Sequence, residues 1–175
     1  MADQTMPWNQ LSKNAPELTG FMVAVLVKFP GVNSIQLKHG RILLSILLQD
    51  VEEHQQAAFT DTLKQHKRVM RKWMKSYLYL PEIQWQTMKG FSQLQLNWSL
   101  DQFVPKQVQL LFELLWGQFG DNILTEDYVE DTEDVMVKEG FLEEQLNGAQ
   151  WNTSETLIAY RDGGRVLVYS VPAVG

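Results

Sequence analysis

Apolar residues Leu18, Phe21, Met22, Val25 and Leu26 recur at i, i+3, i+4, i+7 and i+8, the spacing of one face of a helix, and predict a helix over 16–29. Asn14 is available as an N-cap, and Pro16 fits the first turn, where a missing N–H costs little. The β-branched Val23, Val25 and Val27 also suit a buried strand, so the pattern leaves helix and strand both open here. Pro30-Gly31 ends the element in either case. Ile35 and Leu37 then alternate with Gln36 and Lys38, His39-Gly40 offers a two-residue turn, and 41–49 is rich in Ile and Leu. That is the pattern of a β-hairpin over 35–49.

A long helix is expected over 50–79, with Asp50 as N-cap, Glu53 completing a capping box, and Pro81 marking its end. Leu94, Leu96, Trp98 and Leu100 alternate with Gln95, Asn97 and Ser99, as in a strand with one buried face. The segment 105–119 carries apolar residues on nearly all sides, which predicts a helix sandwiched between layers. Asp131 with Asp134 opens a further expected helix running to about Leu146 and bent at Gly140. Thr156 to Tyr160 and Arg165 to Val171 flank Asp162-Gly163-Gly164 and predict a closing hairpin.

The expected fold is α+β: an antiparallel sheet of the 35–49 hairpin and the 94–100 strand, with helices 16–29, 50–79 and 105–119 packed on it and the C-terminal hairpin extending or edging it. This reads as a single domain over 1–175, with its core in 14–120, an acidic segment at 121–144 and the last hairpin at 156–171. Helix, hairpin, helix, strand is also the order of a ferredoxin-like βαββαβ unit without its first strand. The stretch Leu26-Val27-Lys28-Phe29-Pro30-Gly31-Val32, running on to Ile35-Gln36-Leu37 and His39-Gly40-Arg41-Ile42, resembles the helix end and hairpin of heavy-metal-associated domains. The resemblance covers about 25 residues and implies a ferredoxin-like fold by analogy. Those domains bind metal through a Cys-x-x-Cys loop, which this chain lacks.

The chain has 175 residues, 45% of them hydrophobic, enough to build a core without covalent staples. It contains no cysteine, which excludes disulfides, thiolate nucleophiles, Cys-ligated zinc and iron–sulfur clusters. The longest apolar runs, 21–27 and 42–48, fall short of a membrane span. No basic region precedes an apolar one at the N-terminus, so a cytoplasmic protein that does not enter a membrane is expected.

Charge is segregated along the chain. The net charge is −6, yet residues 121–144 hold ten acids and one base, Lys138, while residues 1–120 hold twelve bases and nine acids. Lys64, Lys67, Arg68, Arg71, Lys72 and Lys75 recur at i, i+3, i+4, i+7, i+8 and i+11 and fill one helix face about 140° wide. Leu63, Met70, Trp73, Met74 and Tyr77 lie on the neighbouring face.

Catalytic and metal-binding patterns are weak. Asp50, Glu53 and His54 would share one face of a helix start as a carboxylate–imidazole site needs, but acids in a first turn also serve capping and the helix dipole. His39 suits a turn, and His66 falls on the apolar face with Phe59 and Leu63. The cluster Asp127, Glu130, Asp131 and Asp134 lacks the spacing and central glycine of a calcium loop. Nucleophile-elbow, phosphate-loop, dinucleotide and His-Glu-x-x-His motifs are absent. Of six tryptophans, Trp8 and Trp151 lie in weakly periodic segments where a surface ring would mark a binding patch. The expectation is a non-enzymatic interaction or regulatory domain without metal or cofactor, with a protein partner or self-association and the six cations as its binding face. Nucleic-acid binding through the same face is the alternative, opposed by the net charge and a pI near 5.0. A small-molecule binder or carboxylate-based enzyme is the third reading.

Overall fold

The computed structural model describes residues 15–73, 77–125 and 156–171. The chain runs α1 (Ala15–Lys28), β1 (Ser34–Lys38), β2 (Arg41–Gln49), α2 (Glu53–Trp73), β3 (Glu82–Met88), β4 (Phe91–Ser99), α3 (Pro105–Phe119), β5 (Thr156–Asp162) and β6 (Arg165–Val171). The strands form one sheet in the order β3-β4-β2-β1-β5-β6, with every neighbouring pair antiparallel. The α+β class and the antiparallel sheet are as expected, and the C-terminal hairpin extends the sheet by pairing β5 on β1.

Among the described residues the order is αββαββαββ, with a sheet order that is not ferredoxin-like. The strand following α2 belongs to a hairpin whose second arm, β4, pairs directly with β2, so no split βαβ unit forms among the described residues. The Pro30-Gly31 turn does lead a helix into a strand, but that local feature fixes no topology.

One face of the sheet carries the core. Ile42, Leu44, Ile46 and Leu48 of β2, Leu94, Leu96 and Trp98 of β4, and Leu157 and Ala159 of β5 are buried together with Phe21, Met22, Val25 and Leu26 of α1 and Val108, Leu111, Phe112 and Leu115 of α3. The ambiguous 16–29 segment is helical, and its valines do not decide the matter because Val25 is buried while Val23 and Val27 are half-buried around a helical surface. His39 and Gly40 both have positive φ, at 50° and 71°, which the two-residue turn between β1 and β2 requires.

Several expectations are corrected. Asp50 does not cap α2: it has φ 56° and precedes a helix that begins at Glu53. The reciprocal bond runs from the Glu52 N–H to Gln55 Oε1 at 2.8 Å, a capping-box contact shifted two residues along the chain. The helix is described over Glu53–Trp73 and does not reach Tyr79, because Tyr77–Leu80 lies off the helical path and Tyr77 and Tyr79 are bonded to Gln107 of α3. Strand β3 was not expected; it pairs along its whole length with β4, which starts at Phe91 rather than Leu94, and Leu100 falls in a 3-10 turn. Helix α3 is not sandwiched: it buries Val108, Leu111, Phe112, Leu115 and Phe119 against the sheet, while Glu113, Gly117 and Gln118 face outward. The helix expected over 131–146, Trp8, Trp151 and all but 121–125 of the acidic segment lie outside the described residues.

Long-range polar contacts tie the ends of the sequence together. Arg161 of β5 is buried, and its guanidinium donates to the carbonyls of Val32 (2.9 Å), Phe29 (3.1 Å) and Leu26. A cation thus sits at the C-terminal end of α1, where the helix dipole favours it.

Candidate functional site

The C-terminal half of α2 carries the predicted cations to the surface. Phe59 and Leu63 anchor the helix in the core, with Gln56 buried beside them. Lys64, Arg68, Arg71 and Lys72 are exposed and Lys67 is half-buried, as 3.6-residue periodicity requires of positions turned away from that anchor. Lys75 lies outside the described residues. Among the described residues no carboxylate comes within ion-pair distance of these five cations; Arg41 pairs with Glu82 at 3.2 Å instead.

Aromatic rings border the basic face. Trp73 is 74% exposed and Tyr77 50%, although the sequence pattern placed both with Leu63 on an apolar face. Lys67 Nζ stands 5.3 Å from the centre of the Tyr77 ring, and Lys72 Nζ stands 5.7 Å from that of Trp73, both within cation–π range. Val69, on the same half of the helix, is 51% exposed. Exposed large rings beside unpaired cations resemble the composition of protein interface centres, where Trp, Tyr and Arg are enriched.

A clamp from α3 holds this aromatic border in place. The Gln107 side-chain amide accepts from the Tyr79 N–H at 2.9 Å and donates to the Tyr77 carbonyl at 2.6 Å. The Tyr79 carbonyl in turn accepts from Trp98 Nε1 at 3.3 Å, and Leu78 is buried between them. The Tyr77 and Tyr79 rings pack edge to face at 4.8 Å. Sequence reasoning missed this clamp because Gln107 lies 28 and 30 residues from its two partners.

The other candidate chemistry does not assemble. Asp50 lies outside α2, so it does not join Glu53 and His54 on a helix face; His54 Nδ1 instead meets Glu52 Oε2 at 3.1 Å, both side chains being exposed. Among the described residues no three histidine or acidic side chains gather in a way that could hold a metal ion. A groove of about 500 Å³ between the end of α1 and α3 is lined by Phe29, Pro30, Phe112 and Trp116, with Lys28 and Glu113 at its rim. No helix of the described residues is long and apolar enough to cross a membrane. No family model, curated protein or solved structure matches the chain.

Proposed function

We propose that this protein is a non-enzymatic interaction domain that docks an acidic protein segment on the C-terminal half of α2. The observation carrying this reading is the set Lys64, Lys67, Arg68, Arg71 and Lys72, presented on one helix face, unpaired among the described residues and bordered by Trp73 and Tyr77. Cations supply attraction and register, and the rings supply the desolvated contact that charge alone lacks. The exposed Trp73 and Tyr77 beside the cations favour a protein segment, since such rings concentrate at protein interface centres, and the net charge of −6 weighs against a long polyanion such as nucleic acid.

The test is fluorescence anisotropy with a labelled oligoglutamate peptide and, separately, a labelled single-stranded oligonucleotide. Each exposed ion contact is worth under about 1 kcal/mol, so reversing Arg68, Arg71 and Lys72 to Glu together should weaken peptide binding by about tenfold or more. Trp73→Ala should weaken it without lowering thermal stability. Tight oligonucleotide binding with a steep salt dependence, lost in the same triple variant, would replace this reading by the nucleic-acid one. Equal binding of the peptide by parent and triple variant would refute the role of this face altogether.

A further inference from the structure

The sheet ends at β3, and among the described residues no strand lies on its outer side. The two-residue turn Lys89-Gly90 closes on the pair Met88↔Phe91, and the register continues through Gln86↔Gln93, Gln84↔Gln95 and Glu82↔Asn97. Antiparallel alternation makes these the hydrogen-bonded pairs. The backbone N–H and C=O groups of Ile83, Trp85 and Thr87 therefore point away from β4, along the open edge. Natural edge strands are commonly blunted by lysine, proline or a bulge. From Ile83 to Thr87 this one has neither lysine nor proline and pairs with β4 without a bulge.

We infer that this edge pairs with β3 of a second copy, antiparallel and about a two-fold axis through Trp85. The run Ile83-Gln84-Trp85-Gln86-Thr87 reads nearly the same in both directions, and a two-fold interface needs that self-complementarity. Trp85 of one copy then exchanges backbone bonds with Trp85 of the other, and Ile83 with Thr87, giving about six bonds between copies. Gln84 of one copy stands opposite Gln86 of the other on the face turned away from α1, α2 and α3, where the two amides can donate and accept reciprocally. Ile83 opposite Thr87 sets two β-branched side chains together. At each end Glu82 of one copy comes beside Lys89 of the other, so the charges also match. An unrelated strand would find the backbone bonds but not this symmetry. The inference rests on β3 and is independent of the α2 face.

The full chain should show a concentration-dependent monomer–dimer equilibrium by sedimentation between about 5 and about 200 µM. Thr87→Pro removes a donor that faces away from β4, a position where an edge strand tolerates proline, so it should give a folded monomer. The absence of native cysteine permits a second measurement. Gln84 and Gln86 of opposite copies would have Cα atoms about 4.5 Å apart, within disulfide reach. An oxidised mixture of Gln84→Cys and Gln86→Cys variants should therefore cross-link, and neither variant alone should. A chain that stays monomeric across this range overturns the inference. So does a dimer in which the mixture cross-links no better than the single variants, whatever Thr87→Pro does to folding.

Discussion

Replacing Arg161 by alanine should destabilise the fold more than any surface change, because this side chain closes the end of α1. Its guanidinium bonds the carbonyls of Leu26, Phe29 and Val32. The Phe29 carbonyl keeps a second donor, the Val32 N–H at 2.9 Å. Hydrogen bonds to charged groups contribute about 1.5–3 kcal/mol each, and removing a buried charged partner costs about 3–5 kcal/mol in measured cases. We expect about 3–5 kcal/mol for Arg161→Ala. Arg161→Lys should fall between parent and alanine, because an ammonium keeps the charge at the helix end but cannot present the fork that spans three carbonyls. Urea unfolding gives the free energy directly. In a thermal scan each kcal/mol corresponds to about 2–4 °C at this chain length, so a midpoint drop of about 10 °C is the expected scale. A loss under about 1 kcal/mol for alanine, or a lysine variant no better than alanine, would refute the claim that this cluster holds α1 to β5.

Two further outcomes test the sheet. Leu96→Ala, at a fully buried position of β4, should cost about 2–5 kcal/mol, whereas Gln95→Ala, one position out of phase, should be nearly neutral; the opposite order by chemical denaturation would mean the register is wrong. Trp85 is edge to face with Phe59 at 6.5 Å and with Phe119 at 6.0 Å, and its buried indole N–H has no acceptor among the described residues. Trp85→Phe keeps an aromatic ring and removes that donor, so its stability should fall only by the packing lost with the smaller ring, about 1 kcal/mol; a loss above about 2 kcal/mol by urea unfolding would refute that expectation.

Local pattern was enough wherever an element's own residues decide its state. The His39-Gly40 turn, the Gly163-Gly164 turn and the alternation of Leu94, Leu96 and Trp98 in β4 are backbone and side-chain preferences acting over a few residues, and each is found in the structure, β4 starting earlier and ending one residue sooner than the pattern placed it. The cations of α2 were equally legible, because a 3.6-residue repeat carries its exposed face whatever the helix packs on. Strand β3 also left a signal, the alternation of Ile83, Trp85 and Thr87 with glutamines before Lys89-Gly90, but glutamine-rich strands have little hydrophobic contrast and were easy to pass over.

What the sequence could not supply was pairing between distant segments. A hairpin says that two strands are neighbours, but nothing local says that β4 lies on β2 or that β5 lies on β1; those pairings gather the apolar residues of β2, β4 and β5 in one core. The early end of α2 was hidden for the same reason: helical periodicity continues to Tyr77, while the bonds from Gln107 of α3 hold Tyr77–Leu80 off the helical path. Trp73 and Tyr77 become exposed rings rather than core as a result. Sequence alone decided the charge of the α2 face, because charge belongs to residues; its aromatic border and the place of β3 at the end of the described sheet were decided by tertiary packing, because exposure belongs to neighbours.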